Sequence, residues 1–372
     1  MRKKIIFNKN NEKPRILIAP LDWGLGHATR CIPIVNKLIE LNCEVWIVAE
    51  KKIFFLLKKE FPSAVFLRYK GYEIRYSKNK NLFPLTIFFQ FPKIIFSIIK
   101  EKRWINLIVK ENSIDAIISD NRFGMFTKQI PCVYITHQLF IKTGNQLTDV
   151  IAQKIHNYFI RKYTFCWVPD IQKNGLAGKL SHPKKVPSNV VYIGPLSRFK
   201  RIENVEIIYD LLVLISGPEP QRTIFENLIL KQLESFDGKA FLIRGLPDET
   251  ISFREFSHVK IKNHLQAAEL KKVIQQSEIV LSRSGYTTVM DLSALQKKAI
   301  LIPTPGQKEQ EYLAKYLYEK QYFFCIEQKN FSLEDAINEM KGFPFKSFQF
   351  NEEQYQNTVD EFVLSIKSMN FA

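Results

Sequence analysis

Short apolar runs alternate with helical patterns along the first half of the chain. The runs at Arg15–Ala19, Glu44–Val48, Ala64–Arg68, Asp115–Ser119, Cys132–Thr136 and Phe165–Val168 predict strands. Between them lie amphipathic stretches such as Ala28–Leu41, where Ile32, Val35, Leu38 and Ile39 fall on one helical face. This alternation predicts parallel strands joined by crossovers. A polar stretch from Pro169 to Ser188 follows, then an apolar run at Val190–Ile193 and the turn Gly194-Pro195. The alternation restarts with strands at Leu211–Ile215, Ala240–Ile243, His258–Ile261, Glu278–Ser282 and Ala299–Ile302, and helices at Thr223–Glu234, Gln266–Gln275, Thr287–Leu295 and Gln310–Glu319. A last helix is expected near Asn351–Ser368. The pattern therefore predicts an α/β protein of two tandem, doubly wound, Rossmann-like domains facing a cleft. Their expected extents are residues 1–200 and 201–350, with a linker near 194–206 and a C-terminal helix in 351–372 reaching back across the junction.

A length of 372 residues suits two domains, and 46% hydrophobic with 24% charged residues is a globular composition. No eighteen-residue stretch is both charge-free and strongly apolar, so a membrane span is not expected. The start, MRKKIIFNKN, lacks the apolar core of a signal peptide. Five scattered cysteines with no C-x-x-C pair indicate neither a disulfide framework nor a zinc site, and point to a reducing, cytoplasmic compartment. The net charge of +17 is uneven: residues 1–200 carry a balance of +21 and residues 201–372 a balance of −4. A basic half can meet nucleic acid, an anionic membrane or an anionic substrate, and part of it can be compositional drift in a Lys-rich chain. No nucleic-acid reader motif is present, so a nucleic-acid partner is not expected.

Polar residues gather where strands are expected to end. The first strand runs into Gly24-Leu25-Gly26-His27-Ala28-Thr29-Arg30, a tight strand–helix turn whose helix start also suits an anion. His27 there can act as a base or stay structural. The fourth strand ends in Asp120-Asn121-Arg122 and the fifth in Thr136-His137. Asp120 can be a base, orient one, or cap a turn; Arg122 can hold an anionic group. In the second half, Ser216-Gly217 and Gln221-Arg222 surround another strand–helix turn. The fullest cluster is Ser282-Arg283-Ser284-Gly285-Tyr286-Thr287-Thr288-Val289-Met290-Asp291, where helix N–H groups and hydroxyls can cradle a diphosphate and Asp291 can accept from two vicinal hydroxyls. Gln310 and Glu311 suit sugar hydroxyls. Residues 82–110 mix apolar and aromatic residues with Lys93, Lys100, Lys102, Arg103 and Lys110, as a helix lying on an anionic bilayer would, or a helix buried at a domain edge.

On Gly24-Leu25-Gly26-His27 and the segment Ser282 to Asp291, the chain resembles the two-domain GT-B nucleotide-sugar glycosyltransferases, and among them the MurG type, which adds N-acetylglucosamine to a lipid-linked acceptor. The likeness extends over residues 14–340. It implies a UDP-sugar donor held by Gly26, Ser216, Gly217, Gln221, Tyr286, Thr287, Thr288, Asp291, Gln310 and Glu311, to which the reading of the residues adds Arg222, Arg283, Ser284 and Gly285 at the diphosphate. It implies inverting transfer to a hydroxyl of a lipid-linked or cell-envelope glycan acceptor, with His27 or Asp120 as catalytic base. Arg30, Arg122 and His137 would meet the acceptor. No D-x-D pair is present, in keeping with a metal-independent reaction that needs no cofactor beyond the donor. A location at the inner face of the membrane follows if the acceptor is a lipid. Pro-Glu-Pro after Gly217, Arg30 in the first loop and the single glutamine of Gln310-Glu311 depart from the family pattern, chiefly at the donor sugar. The alternatives are a nucleotide-sugar epimerase of the same architecture, a non-catalytic sugar-nucleotide binding module, and a basic nucleic-acid-binding protein.

Overall fold

The computed structural model describes residues 13–22, 25–72, 83–142, 145–247 and 257–370. Trp23 and Gly24 of the first glycine turn, and residue 82 of the apolar-basic segment, lie outside the described residues. The chain divides into two units, residues 1–196 with 351–372, and residues 197–350.

Unit 1 is built on a seven-stranded parallel sheet. Its strands are β1 (Arg15–Pro20), β2 (Glu44–Val48), β3 (Val65–Leu67), β4 (Ala116–Asp120), β5 (Cys132–Ile135), β6 (Phe165–Val168) and β7 (Val190–Tyr192), in the order β3-β2-β1-β4-β5-β6-β7. β1, β4 and β5 are apolar almost throughout because helices cover both faces of a parallel sheet. The helices are α1 (Leu25–Glu40), α2 (Lys51–Glu60), α3 (Phe83–Asn112) and α4 (Gln146–Ile160). The C-terminal helix, here α10 (Glu353–Asn370), belongs to this unit and packs on α1. Lys37 pairs with Asp360 at 2.9 Å, and Phe362 meets Trp167 edge-on at 5.3 Å between ring centres.

Unit 2 carries six parallel strands, β8 (Tyr209–Leu214), β9 (Ala240–Ile243), β10 (Val259–Lys262), β11 (Ser277–Arg283), β12 (Ala299–Ile302) and β13 (Phe324–Cys325), in the order β10-β9-β8-β11-β12-β13. Its helices are α5 (Gln221–Leu233), α6 (Ala267–Gln275), α7 (Tyr286–Ala294), α8 (Lys308–Glu319) and α9 (Leu333–Lys341). Leu211, Val213, Leu242, Leu281 and Ile300 form the middle of its core against Phe225 and Ile229 of α5.

In both units the strand order reverses once, between β1 and β4 in unit 1 and between β8 and β11 in unit 2. At such a reversal the connections leave in opposite directions, so a crevice opens at the carboxyl ends of the two strands. Register brings Pro20 beside Asp120 and Leu214 beside Ser282. The polar turns thus stand where each sheet has room for a ligand.

Candidate active site

In unit 1 the crevice is lined by a linked set of side chains. The first turn of α1 carries His27, and Arg30 lies one turn on. Opposite them, β4 ends in Asp120, which is completely buried. Arg30 Nε donates to Asp120 Oδ2 at 2.9 Å, and its NH2 donates to Oδ1. His27 Nδ1 stands 3.1 Å from Asp120 Oδ1 and 3.0 Å from Arg30 NH2. That guanidinium nitrogen already donates to the carboxylate, which is the stronger, charge-assisted bond. The consistent assignment therefore puts the His27 proton on Nδ1, donated to Asp120, and leaves Nε2 with its lone pair. Arg30 NH1 donates to His137 Nδ1 at 2.9 Å, so the His137 proton sits on Nε2.

The charge balance follows from this geometry. Burial alone would raise the Asp120 carboxyl, but Arg30 and then His27 overcome it and hold it down at about 2. Asp120 is thus a permanent anion that orients His27. Arg30 is 2% exposed and committed to Asp120 and His137. Arg122, also buried, pairs with Glu101 of α3 at 2.7 Å. Burial works against the Arg122 cation and Glu101 more than restores it. Tyr72 donates to the same Glu101 at 2.7 Å and accepts from the Phe123 amide at 2.8 Å. Both arginines expected to meet an acceptor therefore brace the loops of unit 1, each against a buried carboxylate. His27, its side chain 19% exposed, is the member of the set that solvent reaches most.

In unit 2 the crevice lies between the ends of β8 and β11. Gly217 follows β8 with φ of +109°, a conformation that a side chain resists, and its Cβ position would lie 3.9 Å from Thr304 Oγ1. Arg283, the last residue of β11, is 1% exposed. Its guanidinium stacks on Phe225 at 3.9 Å from the ring centre. Its NH groups donate to the carbonyls of Pro303 at 3.2 Å and Gln221 at 3.3 Å, and its Nε has no partner among the described residues. No described carboxylate pairs with it, and burial pulls it down to about 9. The buried Thr304 hydroxyl is also without a partner among the described residues. Gly285 caps α7, and a Cβ built there would meet nothing within 4 Å. Tyr286 is buried, and Thr287 and Thr288 are half-buried on the first turn.

Five more of the expected donor residues, Arg222, Ser284, Asp291, Gln310 and Glu311, make hydrogen bonds within unit 2, whereas Gly26 lies in unit 1. Arg222 donates to Glu219 at 2.6 Å and to Glu226 at 2.8 Å, and Glu226 also accepts from Arg244 at 2.5 Å. The Arg222 guanidinium is held inside unit 2 between Glu219, in the turn before α5, and Glu226, one turn on in α5. Gln310 Oε1 accepts from the Thr304 amide at 2.9 Å, and Glu311 Oε1 accepts from the Gly306 amide at 2.8 Å. Ser284 Oγ donates to the Gln310 carbonyl at 3.0 Å, tying α7 to α8. Asp291 is buried and accepts from Ser197 Oγ at 2.8 Å and Arg198 Nε at 3.3 Å. Sequence reasoning missed Ser197, Arg198, Glu101 and Tyr72, since each partner lies far away along the chain.

Residues 244–366 match the Glycosyltransferase family 28 C-terminal domain. Over 327 residues the chain is 24% identical to the UDP-N-acetylglucosamine--N-acetylmuramyl-(pentapeptide) pyrophosphoryl-undecaprenol N-acetylglucosamine transferase of Clostridium tetani, covering 82% of this chain and 84% of that one. The protein of the same name from Borrelia turicatae is 25% identical over 340 residues, covering 85% and 84%. Among solved structures, CalG4, the calicheamicin glycosyltransferase, superposes with a TM-score of 0.59 at 12% identity, covering 97% of this chain and 96% of that one. Acinetobacter baumannii MurG gives a TM-score of 0.50 at 11% identity, covering 95% of both. At such identities the structures establish the fold.

Proposed function

We propose that this chain, a glycosyltransferase of the family 28 type on the GT-B fold, moves N-acetylglucosamine from its UDP donor to a hydroxyl of a lipid-linked acceptor. One observation carries the reading more than any other. Among the described residues no carboxylate pairs with Arg283, a buried cation at the carboxyl end of β11 and beside the start of a helix. A lone buried charge is costly, and an arriving anion relieves that cost. The first turn of α7 adds oriented N–H dipoles, and open space over Gly285 admits the ligand. A diphosphate supplies the anion, and Asp291 supplies an acceptor for its ribose.

The chemistry is an in-line displacement. The acceptor hydroxyl attacks the anomeric carbon as His27 Nε2 takes its proton. The bond from that carbon to the diphosphate oxygen breaks, and its electron pair leaves with UDP. Asp120 stabilises the imidazolium that forms. Arg283 and the α7 dipoles meet the charge growing on the leaving group, where preorganised donors act most strongly. Attack opposite the leaving group inverts the anomeric centre.

The outer face of α3 supports attachment to a membrane surface. Phe96, Ile99 and Leu107 are exposed, and Lys100, Arg103 and Lys110 share their helical face. The neighbouring α4 exposes Val150, Ile151 and Tyr158. Among the described residues no helix is long and apolar enough to cross a bilayer. A surface-lying mode fits this mixture of apolar and basic side chains.

The test is transfer from radiolabelled UDP-N-acetylglucosamine to an undecaprenyl-pyrophosphoryl-muramyl peptide. Labelled lipid product with a β linkage is expected. Release of free sugar alone, or epimerised donor without transfer, would overturn the proposal.

A further inference from the structure

Asp291 is already engaged in the ligand-free chain. It lies on α7 among the buried apolar residues Val289, Met290 and Leu292, and its side chain is 8% exposed. Ser197 Oγ donates to Oδ1 and Arg198 Nε to Oδ2. The Ser197 hydroxyl itself accepts from the Phe199 amide at 3.0 Å, so its own proton points at Asp291. Arg198 lies over the Phe199 ring at 4.7 Å, which limits the rotation of its guanidinium plane. The two donors approach different oxygens. That removes the freedom of the carboxylate to turn about its last bond.

These contacts have a chemical consequence. Burial raises the Asp291 carboxyl, while Arg198 and Ser197 pull it back toward the anion. A carboxylate has about four acceptor positions; here Ser197 Oγ and Arg198 Nε take two, and the Arg198 backbone amide also donates to it. The acceptor position that remains can serve a hydroxyl. A carboxyl that rotates freely or binds a proton loses that presentation.

We propose that Arg198 and Ser197 are positioning residues for the donor nucleoside: they hold Asp291 so that its remaining acceptor position meets the 2′-hydroxyl of the ribose, and thereby select ribonucleoside over 2′-deoxyribonucleoside diphosphates. The proposal rests on the reading of Asp291 as the ribose ligand. The two residues stand at the opening of unit 2, about ninety positions before the helix they serve.

The experiment is calorimetric titration of the whole chain with UDP and with 2′-deoxy-UDP. The wild type should prefer UDP by about ten-fold or more, the scale of one hydrogen bond to a charged group. Asp291→Asn should abolish that preference. Arg198→Gln should cut it to about three-fold or less, and Ser197→Ala should reduce it less. Arg198→Lys, which keeps a donor and the charge, should recover part of it. If the wild type and Arg198→Gln discriminate equally while Asp291→Asn does not, the positioning role is wrong and the ribose reading stands. If the wild type shows no preference, the ribose reading fails and this proposal with it.

Discussion

Replacing Asp120 by Asn separates the two tasks assigned to that carboxylate. The side chain is completely buried and takes donors from Arg30 on both oxygens and from His27 on one. The amide keeps one acceptor oxygen and turns two donor hydrogens toward a guanidinium that can only donate. Arg30, itself 2% exposed, is left without its counter-ion. Breaking a buried pair in this way costs about 3–5 kcal/mol. For a body the size of unit 1 that lowers the melting temperature by on the order of ten degrees. The pH dependence reports on the same pair. The folded carboxyl lies near 2 against its usual 3.8, a depressed value, so its contribution is present above the unfolded value and lost as pH falls through the folded one. That shift corresponds to about 2 kcal/mol. Thermal and urea unfolding at neutral pH and between pH 5 and 2 would measure both. Arg30→Met combined with Asp120→Asn should recover much of the loss, since no unpaired charge remains. A single variant within 1 kcal/mol of wild type, or a double variant no better than the single, would refute the reasoning.

Further outcomes follow from other parts of the molecule. His27→Ala should lower sugar transfer by about 10²–10⁴-fold in a steady-state assay while UDP binding is kept, because the base acts on the acceptor; an unchanged rate would remove His27 from the chemistry. Gly245→Ala should destabilise unit 2 by about 1–3 kcal/mol in urea unfolding, since the glycine has φ of +70° and its Cβ would lie 2.5 Å from the Ile215 carbonyl oxygen. Flotation with vesicles containing anionic lipid should carry the wild type upward, and the combined Lys100→Glu and Arg103→Glu exchange should leave most of the protein unbound, each basic residue contributing about 1 kcal/mol at the surface. Equal flotation of both would rule out the α3 face.

Much of the fold was readable because buried parallel strands are continuous apolar runs. The runs Glu44–Val48, Phe165–Val168, Ala240–Ile243 and Ala299–Ile302 coincide with β2, β6, β9 and β12. α4 was harder to read, since Val150, Ile151 and Tyr158 are apolar yet exposed and blur its periodicity. β13 is a two-residue strand, too short to leave a pattern. The polar turns were legible as residues that neither strand nor helix needs, such as His27 and Ser284-Gly285. Their partners were not. Asp120 meets Arg30 only through the register of β1 on β4, Glu101 meets Arg122 only through the path of α3, and Arg283 finds Phe225 only because α5 crosses the end of β11. Side-chain identity announces chemistry, whereas pairing across tens of residues is decided by topology.

The most direct measurement is calorimetric titration of UDP into the wild type and into Arg283→Met, with thermal unfolding of both proteins. The account predicts that UDP at one hundred times its dissociation constant stabilises the wild type by about 2.7 kcal/mol. It predicts that the ligand-free variant is at least as stable as wild type, a buried cation with no carboxylate partner among the described residues having been exchanged for an apolar side chain, and that it no longer responds to UDP. A variant that binds UDP as tightly as the wild type would contradict the assignment of this crevice to the nucleotide.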